Sequence, residues 1–531
     1  MNRFLSAACA CGFLALLAHP AEARLTRLVI TNVQSPTFGA TAFGSGGAVG
    51  PYEKLTGVAH GEVDPEDPRN ALITDIDHAP RNARGMVEYS MDVYILKPVD
   101  MQRSNHKLFM EINNRGNKLF GAFNRAPITN DPTTAADAGG AFLMNQGYAL
   151  AWNGWDPTAA AGNGRMTIQT PVAIQEDGTP VTGPSYEYLV FDNATTLFAP
   201  LTYPDTTLDP AAATLTVREH LTDPPTILPV GTWQYASSQS IQLLPVGTTF
   251  RQSAIYEFVH TATQAKVAGL GFAATRDFVS FLRHAQTDDV GNPNPLAAAV
   301  KQVDAFAISQ PARYLNDFVW LGFNQDELGQ AVFDAIENWI GAGDGVALNV
   351  RFAQPGRTER NRQNHLYPEG IFPFAFQTLH DPLTGHSDGR NLRCMRSDTC
   401  PKLFQVISAN EYWVKAGSLV HTDTFGNDLA DPPNVRYYLL SGLEHTVAGN
   451  APFNRGVCQQ YQNPTDPNPA LRALLVALDA WTAQDVPPPH SAVPRVRDGT
   501  AVFSQPLADG LGVVPQQALG WPDIPLSLIH I

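Results

Sequence analysis

Ser309 stands where the apolar run Val303-Asp-Ala-Phe-Ala-Ile308 gives way to Gln310-Pro311. A strand that turns sharply into a helix pushes a hydroxyl out at the strand's carboxyl end, where it can act as a nucleophile. Ala307 keeps the approach narrow. Pro311 suits a first helical turn, where its missing N–H leaves no intrahelical bond unmade. The helix N-terminus favours negative charge beside the hydroxyl. The string Ala307-Ile308-Ser309-Gln310-Pro311 is a degenerate nucleophile elbow, with Ala and Pro where glycines are usual. Taken alone it reads equally well as a serine that caps a helix.

A serine nucleophile needs a base, and the base needs an orienting acid. In a strand-to-helix elbow architecture the chain order is serine, acid, histidine. Two later strand-like runs each end in a suitable residue. Lys402–Ser408 leads through Ala409-Asn410 into Glu411, and Val435–Leu440 leads through Ser441-Gly-Leu-Glu444 into His445. Glu411 is assigned as the acid and His445 as the base. Glu411 also reads as an ordinary first-turn helix carboxylate, and His445 as a surface-loop histidine. Asp423 is the alternative acid and His421 the rival base, although His421 precedes the last strand. An acyl-transfer site also needs donors for an oxyanion. The N–H of Gln310 is one. A second is expected from the loop Asn113–Gly116, with Asn114 as its candidate and an ordinary turn asparagine as the alternative. Arg313 and Asp317 are spaced i, i+4 on the helix after Ser309 and read as a pair. Trp152 and Trp155 read as core more readily than as pocket lining.

These side chains need strands to carry them. Short apolar runs at Lys107–Ile112, Gly147–Trp152, Val303–Ile308, Lys402–Ile407 and Val435–Leu440 alternate with helical stretches. Continuous apolar strands of this kind predict a mostly parallel sheet covered by helices on both faces, an α/β fold. Residues 24–105 read as an N-terminal β-rich segment, with strands at Leu28-Val29-Ile30 and Tyr89–Leu96. Residues 106–460 read as the core. The Thr- and Pro-rich interval of about 157–270 breaks the rhythm and is expected to be a cap or lid insertion over the carboxyl edge. A second excursion, about 353–400, carries two cysteines. Gly44–Gly50 lacks the spacing of a phosphate-binding loop.

The chain has 531 residues, 44% of them hydrophobic and 16% charged, enough for a large core. Its net charge of −15 argues against a nucleic-acid partner. Residues 1–23 read as a signal peptide, with Asn2-Arg3, the apolar run Phe4–Leu17 and the small-x-small site Ala21-Glu22-Ala23. The mature chain is therefore expected to be periplasmic or extracellular, without stable membrane insertion. Export implies an oxidising compartment, and Cys394 and Cys400 are expected to form a local disulfide. Cys458 is then left over. No Cys/His set has the spacing of a metal site. Leu526–Ile531 matches the translated end of a transposon used in sequencing libraries, so 461–525 reads as a C-terminal segment cut short and 526–531 as an artefact.

Ser309-Gln-Pro-Ala-Arg313 with Asp317 and Leu321-Gly-Phe-Asn324, Glu411-Tyr-Trp413, Ser418-Leu-Val-His-Thr-Asp423, Gly442 and His445 resemble a bacterial family of large α/β-hydrolase domain proteins. Asn114-Arg-Gly-Asn-Lys118 and Gly154-Trp155 fit the same family. The resemblance runs from about residue 26 to past 450. The family usually reads Ser-Gln-Ser-Gly-Arg at the elbow, so Pro311 and Ala312 depart from it. The resemblance implies a serine hydrolase fold and little about substrate. Together with the residue reading, it leads to an expected exported ester hydrolase acting through Ser309, Glu411 and His445 on a small-molecule or polymeric ester, with no metal or organic cofactor. Acyl transfer, amide or lactone cleavage by the same trio, or a non-catalytic binding protein on a hydrolase scaffold, are the alternatives. Oligomeric state is left open.

Overall fold

The computed structural model describes residues 24–357, 366–445, 455, 461 and 463–501. The signal-peptide reading, Cys458 and the 526–531 tail fall outside these residues.

One large sheet dominates. Nine of its ten strands are β1 (Arg24–Gln34), β2 (Tyr52–Val63), β3 (Val87–Pro98), β4 (Lys107–Ile112), β5 (Ala149–Asn153), β6 (Gln302–Ile308), β7 (Ala335–Trp339), β8 (Lys402–Ser408) and β9 (Val435–Leu440), and the short tenth, Ile168–Gln169, pairs with β3. They lie in the order β1-β2-β3-β5-β4-β6-β7-β8-β9. The first three pair antiparallel, as do β3 and β5. From β5 to β9 every neighbour is parallel. This is a mostly parallel α/β sheet with an antiparallel N-terminal extension.

Strand alternation sorts the side chains into two cores. Leu108, Met110 and Ile112 of β4 join Val303, Ala305 and Ala307 of β6 on one face. Helices α1 (Leu270–His284) and α2 (Gln310–Trp320) cover that face. Phe109, Phe306, Phe404 and Trp339 point the other way. They meet α5 (Asn468–Gln484), which presents Leu471, Leu475, Leu478 and Trp481 along one stripe. Each fully buried leucine contributes about 1.5–3 kcal/mol of transfer free energy. Two short helices, α3 (Leu392–Ser397) and α4 (Ala409–Val414), lie between β7 and β9. Cys394 and Cys400 are disulfide-bonded around α3, with Cα atoms 4.7 Å apart.

The register brings the strand ends level. Ala307 sits opposite Ile112, Ile308 opposite Trp339, Trp339 opposite Val406, and Ser408 opposite Leu440. The residues that follow β6, β8 and β9 therefore emerge at one edge.

Between β5 and α1 the chain builds two small sheets of its own. Thr182–Val190, Thr214–Arg218, Thr226–Ile227 and Ile255–Thr263 form one; Ala199–Pro200, Trp233–Ser237 and Ser240–Leu243 form the other. They share a separate core of Trp233, Phe250, Tyr256 and Phe258. A strap of chain, Phe352–Pro355, ties this insertion to the main sheet. Tyr203 donates to the Ala353 carbonyl at 2.8 Å, and Gln354 donates to the Ser185 hydroxyl at 3.3 Å.

Candidate active site

Ser309 follows β6 with φ 68° and ψ −122°. A non-glycine residue held there stores strain of order 1–3 kcal/mol. The surroundings enforce it. Ser309 N–H donates to the Trp339 carbonyl at 2.8 Å, and its own carbonyl accepts from Ala312 N–H at 3.0 Å. Gly341 permits the close packing, because a Cβ there would lie 2.7 Å from the Ala312 Cβ. Ala312 is thus accommodated by the glycine across the gap. Pro311 occupies the first turn of α2, as its ring geometry suits. Ser309 does hold the N-cap position of α2, but its side chain makes no capping hydrogen bond. Its hydroxyl oxygen instead lies 2.7 Å from His445 Nε2.

His445 sits in the loop after β9 and is partly open to solvent. Asn410 N–H reaches the Leu443 carbonyl at 3.4 Å, and Asn463 Nδ2 donates to the Gly442 carbonyl at 2.6 Å, so the loop is held on two sides. The Nδ1 of His445 meets Oε1 of Glu411 in a short hydrogen bond. Glu411 is fully buried. Burial alone would push its carboxyl up. The hydrogen bond and charge of His445, with the bond from Ser408, outweigh burial and hold it below the usual carboxylate value.

Glu411 lies in the first turn of α4 and also faces His445. Ser408 is the N-cap of α4, and its hydroxyl accepts from Glu411 N–H at 3.5 Å. Ser408-Ala-Asn-Glu411 has capping-box spacing. The Glu411 side chain does not close a box, however. It spans from the Ser408 hydroxyl, which donates to Oε2, to His445. Ser408 was missed by sequence reasoning, although this serine-x-x-glutamate spacing was there to find.

The remaining candidates lie elsewhere. Asp423 is committed to its own turn, accepting from Phe425 N–H at 2.9 Å, Asn427 N–H at 2.8 Å and Asn427 Nδ2 at 2.8 Å. It does not reach His445, whose Nδ1 belongs to Glu411. His421 is buried behind Tyr412, with Nε2 3.4 Å from the Tyr412 hydroxyl. Burial, reinforced by Arg495, lowers its pKa to about 4. It is a neutral supporting ring rather than a base for Ser309.

Gln310 opens α2, where the first N–H groups have no intrahelical acceptor. Its side chain donates to the Pro355 carbonyl, under the strap. The loop after β4 needs a correction. Asn114 N–H is turned inward to the Asn117 carbonyl at 2.8 Å, Arg115 N–H goes to the Asn113 carbonyl at 3.1 Å, and Gly116 N–H goes to Asn113 Oδ1 at 2.7 Å. A contribution from Asn114 to an oxyanion site therefore falls to its half-buried side chain. Turn bonds of this kind leave no trace in composition. Trp155 is buried, and its Nε1 donates to the Asn113 carbonyl at 2.8 Å, so it braces this loop.

Arg313 and Asp317 do not form the expected pair. Arg313 meets Glu369 at 2.5 Å, while Asp317 accepts from Val346 N–H at 2.8 Å. Burial raises Asp317 to about 6. Beside it, Asn316 binds the Ala342 and Asp344 carbonyls, each at 3.0 Å, and its Oδ1 accepts from Gln405 at 2.9 Å and Asn338 at 3.2 Å. Gly343 N–H in turn donates to the Lys415 carbonyl at 2.9 Å, at the end of α4. Helix α2, behind the serine, is thereby tied to α4, which carries the glutamate.

Among the described residues no group of three or more His, Cys, Asp or Glu side chains converges as a metal site, and no helix is long and apolar enough to cross a membrane. Compared with known families, residues 221–515, more than half of the chain, match an alpha/beta hydrolase domain. The matched stretch includes Ser309, Glu411 and His445 and leaves Asn114 outside it. No curated protein and no solved structure matches the chain.

Proposed function

The chain belongs to this alpha/beta hydrolase domain family, which places it among hydrolases, and on that premise we propose that it is an exported serine hydrolase that cleaves carboxylic esters through an acyl-enzyme on Ser309. One observation carries the reading. The Ser309 hydroxyl, raised on a strained turn, is 2.7 Å from His445 Nε2 while Nδ1 of the same ring faces the buried Glu411 carboxylate.

In this mechanism Ser309 Oγ attacks the acyl carbon while His445 Nε2 takes its proton. Glu411 fixes the tautomer with the proton on Nδ1 and stabilises the imidazolium as it forms. The N–H of Gln310 and the side-chain amide of Asn114 hold the oxyanion. His445 then returns its proton to the leaving alcohol as the C–O bond breaks. Water attacks the acyl-enzyme with His445 again as base, releasing the acid and restoring Ser309. The insertion and its strap serve as a cap over this edge. Export rests on the apolar run Phe4–Leu17 and on the Cys394–Cys400 disulfide, which suits an oxidising compartment.

The test pairs a fluorophosphonate probe with short p-nitrophenyl esters. The wild-type chain should label at Ser309 and turn over ester, and Ser309→Ala should lose labelling and nearly all turnover while keeping its fold. Ester hydrolysis by Ser309→Ala at the wild-type rate would remove the mechanism.

A further inference from the structure

The acid of the relay has two oxygens, and the proposed mechanism employs only one. Oε1 faces His445, and Oε2 accepts a hydrogen bond from the Ser408 hydroxyl. Ser408 is fully buried at the end of β8, opposite Leu440 of β9. It is also the residue from which α4 starts. Its backbone is thus fixed by the sheet, and its side chain is shielded from water. A free carboxylate at the third position of a helix would turn back to the N-cap amide or out to solvent. Here the hydroxyl occupies Oε2 and leaves Oε1 aimed across the gap between α4 and the loop after β9.

We propose that Ser408 is a positioning residue for the hydrolytic relay: it holds the Glu411 carboxylate by Oε2 so that Oε1 presents to His445 Nδ1. The proposal rests on the Ser309–His445–Glu411 reading above. It makes helix capping and acid orientation two duties of one hydroxyl. The oxygen accepts from Glu411 N–H, and the hydrogen is donated to Glu411 Oε2. The two duties are separable by mutation. Glycine replaces serine at an N-cap at a cost of only a few tenths of a kcal/mol, whereas alanine loses the cap as well.

The experiment compares Ser408→Gly and Ser408→Ala on a short p-nitrophenyl ester, each alone and in a Glu411→Ala background, with thermal midpoints measured alongside. A charge-assisted hydrogen bond lost from the acid should lower kcat by about 10- to 100-fold. The expected result is that both variants lose kcat to a similar degree with KM within about twofold, although Gly is the more stable of the two. In the Glu411→Ala background neither should lower the residual fluorophosphonate labelling rate further, because the group through which Ser408 acts is gone. Wild-type kcat in Ser408→Gly, or a loss that adds in full to that of Glu411→Ala, would overturn the proposal and leave the hydrolase reading intact. A wild-type chain that neither labels at Ser309 nor cleaves ester would overturn both.

Discussion

Replacing Glu411 by glutamine isolates the charge of the relay from its shape. The side chain is isosteric, and the site offers it both bonds. The amide oxygen can accept from His445 Nδ1, and the amide nitrogen can donate to the Ser408 hydroxyl, which rotates to accept. What disappears is the anion that faces the imidazolium in the transition state. Glu411 is fully buried and His445 is 29% exposed, so an effective dielectric of about 20 applies, and two unit charges about 4 Å apart then interact by about 4 kcal/mol. At about 1.4 kcal/mol per tenfold, Glu411→Gln should lower kcat/KM by about a thousandfold. Initial rates on a short p-nitrophenyl ester at pH 8 measure this directly, with the circular dichroism spectrum as a check on the fold. KM should change little, since Glu411 has no surface from which to touch substrate. A loss smaller than about tenfold would refute the reasoning, because the carboxylate would then be a helix residue that happens to lie beside His445.

Two further outcomes concern stability. Asp304 and Glu337 are buried on the aromatic face of the sheet, where burial raises Asp304 to about 7 and Glu337 well above the usual value. Both hold their protons more tightly folded than unfolded, so the penalty these two groups bring is absent below about pH 4 and grows as pH rises toward 7. Glu337→Leu should stabilise the chain by about 1–3 kcal/mol at pH 8, with a smaller gain at pH 4; urea midpoints at the two values check this, and an equal gain at both would contradict it. Cys394→Ser opens a disulfide whose cysteines are only 6 apart in sequence, which should cost about 2 kcal/mol of stability and leave ester turnover near wild type, because the bond lies before the amino end of β8.

The strands that carry the site were legible because they are buried on both faces. Lys107–Ile112 and Val435–Leu440 have the bounds read from their apolar runs, and the strands ending at Ile308 and Ser408 differ by a residue at one end. The strand between them, Ala335–Trp339, was not visible. Glu337 and Asn338 interrupt its apolar run, yet both are fully buried, one against the aromatic core and the other bonded to Asn316. Tyr52–Val63 was hidden for a related reason. Lys54 and Glu62 place charges within it, yet both are buried, paired with Asp131 and Arg84. The chain order of Ser309, Glu411 and His445 was readable because parallel strands deliver their carboxyl ends to one edge. The inward turn of the Asn114 amide and the second bond of Glu411 were not, since they depend on which donor reaches which acceptor within a few ångströms.

The packing around Ser309 shows which residues hold its turn in place. A nucleophile elbow needs small residues because a helix and two strand ends converge on it, but the constraint belongs to the volume and not to one position. Here Ala307 and Ala312 are both fully buried beside the serine, and the glycine that makes room stands across the gap at 341. The same holds for rigidity. The backbone strain at Ser309 persists only if its surroundings resist relaxation. Asn316, Asn338 and Gln405 supply that resistance through a buried amide network between α2, β7 and β8. Asn316 is bonded through both its nitrogen and its oxygen, whereas Asn338 Oδ1 and Gln405 Oε1 find no partner among the described residues, so the arrangement of the helix is defined through Asn316. On this argument the identity of residue 311 or 312 matters less to the position of the hydroxyl than the glycine at 341 and the amide at 316, which hold the turn from behind.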